Sequence, residues 1–256
     1  MRKAVLNAVF VAIIVSFLTS TVTVADVYLK NKQHSDGFAM MGQKQEPKDT
    51  IQEVWIAEDK VAQISGEQTI LMRLDRGTVY FIDHKEKKYT EMPMNMNNMM
   101  EEMTGGRAEE TAAMKNMMQN MMKMNISVTN TVETKKINNW NCVKYIEKIG
   151  SAMAPMTIEA WNTEDIKIDA NLYTNFTKAA LVQMPGMVQG MEDIAKELKK
   201  MKGITVYSTT AMSMMGTEIN STSELLEWKE GKAPTGTFEV PAGYTKGQLI
   251  RGMPNR

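Results

Sequence analysis

The chain has 256 residues, 43% of them hydrophobic and 23% charged, which is globular usage with room for one large domain or two small ones. Thirty basic residues balance thirty acidic ones, so no net field draws the protein to nucleic acid, and no nucleic-acid partner is expected. A single cysteine excludes an intramolecular disulfide.

At the amino terminus, Arg2 and Lys3 precede the uncharged stretch Ala4 to Leu18, which runs into Thr19, Ser20, Thr21 and then Thr23-Val24-Ala25. That is the layout of a secretory signal peptide, 1–25, with small residues placed for signal peptidase. Cleavage after Ala25 leaves a mature chain that starts at Asp26 and resides in the periplasm. Retained, the uncharged segment from Ala4 to Ala25 is long enough to act as a membrane anchor. No cysteine follows it to accept a lipid, so a soluble mature protein is expected, held by its core rather than by disulfides.

The next segments are short, rich in β-branched and aromatic residues, and separated by turn residues, a spacing that predicts antiparallel hairpins. They are Asp26 to Gln33, Ile51 to Ala57, Lys60 to Ser65, Thr69 to Asp75, Thr78 to His84 and Lys87 to Met92. Asp83 and His84 sit where a hairpin turns and are expected to face solvent rather than to form a catalytic dyad, since neighbours on a strand point to opposite faces.

A methionine-rich insertion, 92–125, follows and holds twelve of the 26 methionines. Its first part is aperiodic and ends in Gly105-Gly106, a hinge. From Ala112 to Met124, Met114, Met117, Met118, Met121 and Met122 recur at helical spacing behind Glu109 and Glu110, which predicts an amphipathic helix with a methionine face. Beyond it, "ISVTNTVETKKI", "WNCVKYIEK" and "PMTIEAWNT" read as strands, Asn171 to Gln183 and Met187 to Met201 as helices, and "ITVYSTTAMSMM" and "TEINSTSELLEWKE" as strands again. Cys142, inside the second of these strands, is expected to be a buried structural thiol. "WIAEDKV" and "WNTEDIKI" share a tryptophan, an acidic turn and a lysine, a faint sign of two related halves.

Catalytic patterns are missing. His34 and His84 are the only histidines, and there is no H-E-x-x-H, paired-cysteine zinc spacing, G-x-S-x-G or phosphate-binding glycine loop. The chain is therefore expected not to be an enzyme and to need no cofactor.

The stretches "DVYLKNKQHSDGFAMMGQKQEPKD", "VWIAEDK", "LDRGTVYFIDHKEKKYTEM", "INNWNCVKYI", "IEAWNTEDIKID" and "GTFEVPAGYTKGQL" span most of Asp26 to Leu249. On them the chain resembles a family of exported bacterial domains of unknown function whose fold is similar to the periplasmic lipoprotein carriers. The resemblance implies an α+β fold: a curved antiparallel sheet forming a half-barrel, with two or three helices against its concave face. It implies one domain over 26–256 and an exported location, and it brings no settled activity that could be transferred.

Three readings of the methionines follow. They pack helices onto the sheet; or they line a soft cavity for an apolar ligand, a lipid, acyl chain or lipoprotein, beneath a methionine lid; or they bind Cu(I) or Ag(I). Packing is the commonest use of such a stripe; of the two binding readings the apolar ligand is preferred to the metal because methionines recur outside the run, and it names Met114, Met117, Met118, Met121, Met187 and Met191 as ligand-binding. A carrier of this kind would touch a membrane transiently. The metal alternative uses the short spacings among Met92, Met94, Met96, Met99, Met100 and Met103.

Overall fold

Strands form where the sequence alternates β-branched or aromatic residues with polar ones, and they dominate the computed structural model, which describes residues 25–40, 42–94, 106–109, 112, 125–150, 155–169, 172, 196–214 and 216–247. In chain order they are β1 (Val27–Ser35), β2 (Phe38–Met40), β3 (Gln43–Gln45), β4 (Lys48–Ile56), β5 (Lys60–Ser65), β6 (Gln68–Arg73) and β7 (Thr78–Asp83). There follow β8 (Lys88–Pro93), β9 (Asn125–Ile137), β10 (Trp140–Gly150), β11 (Met156–Thr163), β12 (Ile204–Met214), β13 (Thr217–Glu230) and β14 (Thr245–Lys246).

Twelve of them make one sheet in the order β14-β8-β7-β6-β5-β4-β1-β13-β12-β11-β10-β9, while β2 and β3 form a separate hairpin. From β1 the chain runs outwards through the meander β4 to β8, crosses to the far edge at β9, and returns through β10 to β13 to close against β1. Every pairing is antiparallel except that of β14 with β8. The sheet is open, with β9 and β14 at its edges. The methionine-rich insertion falls in the crossing between β8 and β9.

Alternation along each strand divides the apolar residues between two faces. On one lie Val27, Leu29, Val54, Ile56, Val61, Met72, Val79, Val206 and Leu225, joined by Cys142, Ile166, Leu172 and Ile204. On the other lie Tyr28, Trp55, Ala62, Leu71 and Ile82, covered by Ala233, Phe238, Val240 and Tyr244 of the carboxy-terminal segment. Arg73 ties that segment down: its guanidinium donates to both oxygens of Asp75 at 2.8 and 2.6 Å, to the Phe238 carbonyl at 3.1 Å and to Glu239 at 2.9 Å.

Two expectations change. His84 does not face solvent but is half-buried, with Nε2 2.8 Å from the Thr69 hydroxyl and Nδ1 3.0 Å from the Tyr244 hydroxyl, so it links β6 to the covering segment. Asp83 alone behaves as a turn residue, accepting the Glu86 N–H at 2.8 Å. The two tryptophan patterns also diverge: Trp55 leads through a tight turn into β5, whereas Trp161 is followed by non-strand residues 164–169.

Of the expected helices, Ala112 to Met124 and Asn171 to Gln183 fall outside the described residues except at Ala112 and Leu172, and Met187 to Met201 is described only from residue 196. Residues 196–198 are helical, and Leu172 is buried in the first core.

Candidate functional site

The first face carries a cavity of about 310 Å³. Its walls come from β4 on one side and β10 on the other, five places apart in the strand order. On a flat sheet those strands would stand about 24 Å apart. A shared cavity of this size requires the sheet to bend towards this face, which is therefore concave.

Strand register builds the cavity in rows. Asn31 lies between Leu225 and Gln52 across β13, β1 and β4. Ala160, Ser208 and Ser223 form a second row across β11, β12 and β13. Glu147, Ile158 and Thr210 form a third across β10, β11 and β12. Leu29, Ile56, Ile168, Ile204 and Val206 complete an apolar floor. The result is a trough with an aliphatic floor and about as many amide, hydroxyl and carboxyl side chains in its walls, and no lysine or arginine among the described residues that line it.

Glu147 is the exception in this wall. It is 9% exposed, and among the described residues it has no hydrogen-bond or ion-pair partner. Burial alone pushes its carboxyl up to about 7. No fully occluded side-chain nitrogen or oxygen among the described residues lacks a partner, so the Glu147 oxygens open onto the cavity. A carboxyl in this setting is a polar anchor awaiting a donor, since burying it unpaired is costly.

The surrounding polar groups are committed to structure. Asn162 donates to the Lys202 carbonyl at 3.2 Å and accepts from the Thr205 hydroxyl at 2.8 Å, and the Thr163 hydroxyl donates to the Asn141 carbonyl at 2.9 Å. The Lys202 N–H donates to the Tyr145 hydroxyl at 3.3 Å. These bonds hold the start of β12 beneath the cavity. Gly203, at φ +71°, permits the turn there, because a Cβ would run into the Thr163 carbonyl.

Met114, Met117, Met118, Met121, Met187 and Met191 lie outside the described residues, as do Met96, Met99, Met100 and Met103. Met92 and Met94 are described. Met92 lies on β8 opposite Val79, and Met94 packs against the concave-face core while its N–H donates to the Gly77 carbonyl at 2.8 Å. Among the described residues no group of three or more His, Cys, Asp or Glu is placed to hold a metal. His34 is half-buried, with Nδ1 2.6 Å from Asp49 and Nε2 3.2 Å from Asp36. Cys142 is buried, and burial pushes its thiol up, as befits an inert core residue.

Sequence reading passed over Glu147. The signal was present: with period 2, Tyr145, Glu147 and Ile149 share one side of β10, so a charged residue stands in a core-facing series.

No protein-family model and no curated protein matches this chain. Among solved structures it is similar to PNGF-II at 14% identity and a TM-score of 0.39, covering 88% of this chain and 31% of that one, so it spans about a third of that protein's length. It is also similar to an outer membrane lipoprotein-sorting protein domain from Vibrio parahaemolyticus at 7% identity and a TM-score of 0.32, covering 83% of this chain and 89% of that domain. Likeness at this level carries no functional argument.

Proposed function

We propose that this protein is a non-enzymatic binding or carrier protein, exported to the periplasm, that holds an apolar ligand in the concave-face cavity. The observation that carries the reading is the cavity itself: about 310 Å³, floored by aliphatic side chains, with polar side chains in each of its three rows. Small-molecule sites are concave, mostly apolar and furnished with a few converging polar groups, and this volume sits at the small end of their range. It suits one acyl chain or a single compact apolar molecule. Each methylene moved from water to the trough contributes about 0.8 kcal/mol, so a short chain gives useful affinity after the cost of association.

Filling the cavity tests this. Ser208 is half-buried in the middle of the second row, and Ser208→Trp projects an indole into the space. Titration with an environment-sensitive apolar dye should show uptake by the parent protein and at least about tenfold weaker uptake by the variant, with an unchanged circular dichroism spectrum. Equal uptake by both proteins would remove the cavity as the binding site.

A further inference from the structure

We infer that the ligand of this cavity is a cationic amphiphile, an alkyl chain with a primary ammonium group, whose N–H donors meet the Glu147 carboxylate while the chain lies on the aliphatic floor. The inference rests on the binding reading above and names the chemistry of the ligand's polar end.

Three observations converge. Glu147 is nine-tenths buried, has no partner among the described residues, and opens onto the cavity beside Ile158 and Thr210. Its oxygens accept hydrogen bonds and, when ionised, can donate none, so the missing partner is a donor. Neither lysine nor arginine occurs among the described lining residues to neutralise a ligand's negative charge. A fatty carboxylate would place a second anion against Glu147, and an alcohol would supply a donor but no charge. An ammonium supplies both, in the charge-assisted hydrogen bond that is the stronger kind.

The titratable groups on the neighbouring elements leave Glu147 to the ligand. On its own strand, Tyr145 accepts the Lys202 N–H, and Lys144 pairs with Glu159 of β11 at 3.0 Å. Opposite Glu147 on β9, the Val128 N–H donates to Glu197, which also pairs with Lys200 at 2.6 Å. Tyr207 of β12 also lines the cavity. None of these acts on the Glu147 carboxyl, whose upward displacement comes from burial alone.

The experiment compares three probes of one chain length, dodecylamine, dodecanol and dodecanoate, as competitors of a bound apolar dye from pH 5 to pH 8. The expected result is that at pH 8 the amine binds at least about tenfold more tightly than the alcohol and the carboxylate most weakly. At pH 5, with Glu147 protonated, the preference for the amine shrinks. Glu147→Gln should abolish the preference at pH 8 while dodecanol binds as before. Equal binding of amine and alcohol at pH 8, or tighter binding of the carboxylate, would overturn the inference and leave the apolar-ligand reading standing. Failure of all three probes to displace the dye would overturn both. The pH series on the parent protein decides the matter even if the variant does not fold.

Discussion

Replacing Glu147 by Gln keeps the side chain's shape and removes its ionisation, and the structure sets what should follow. Unfolded, the carboxyl titrates near 4.5; folded, burial pushes it up to about 7. Below pH 4.5 both states hold the proton and the group is neutral with respect to stability. Between the two values the unfolded chain releases the proton while the folded protein keeps it, so stability falls as pH rises, and above pH 7 the penalty is complete. The displacement corresponds to on the order of 3 kcal/mol. Glu147→Gln should therefore match the parent near pH 4 and exceed it at pH 8 by about that amount, on the order of 6 to 12 °C in melting temperature for a chain of this size. Urea unfolding of both proteins at pH 4, 6 and 8, compared at equal m-value, measures the difference. Other titrating groups cancel because they are common to both. Parallel stability profiles would mean that Glu147 is solvated or paired, and would remove the argument from an unpartnered carboxyl.

Three further outcomes follow from the packing. Arg73→Met removes the guanidinium from Glu239 and leaves Asp75 only Arg76 at 4.0 Å, and should cost about 2 to 4 kcal/mol, with proteolytic cleavage appearing first in 231–247, read by mass spectrometry of the fragments. Gly203→Ala forces a side chain onto a left-handed backbone against the Thr163 carbonyl and should cost about 2 to 4 kcal/mol in chemical denaturation. Cys142 should resist a chromogenic disulfide reagent in the native protein and react fully in denaturant; rapid native reaction would place it outside the core.

Much of the sheet was legible because its strands carry local signatures. The β5 bounds, Lys60–Ser65, and the β13 bounds, Thr217–Glu230, coincide with the segments read from β-branched content and turn residues alone. Hairpin order from β4 to β8 also follows from short turns. What local sequence does not encode is which distant strands meet. The pairing of β1 with β13, and the return of Tyr244 to His84, join residues far apart in the chain, and His84 was misread because its partner lies 160 positions away. The cavity was illegible for the same reason: its rows are assembled from β1, β4 and β10 to β13, and Glu147 acquires meaning only when Ile158 and Thr210 stand beside it. The methionine face expected to line a ligand belongs to residues outside those described, whereas the described cavity wall is aliphatic, hydroxyl and carboxyl.

Native mass spectrometry of the protein purified without detergent from the cells that make it tests most directly whether the concave face holds an apolar ligand. The expected result is a bound species of about one ligand per chain, lost on organic extraction and absent from Ser208→Trp purified in the same way. A parent protein that carries nothing, takes up no apolar molecule after extraction and matches the filled variant in every charge state would contradict it.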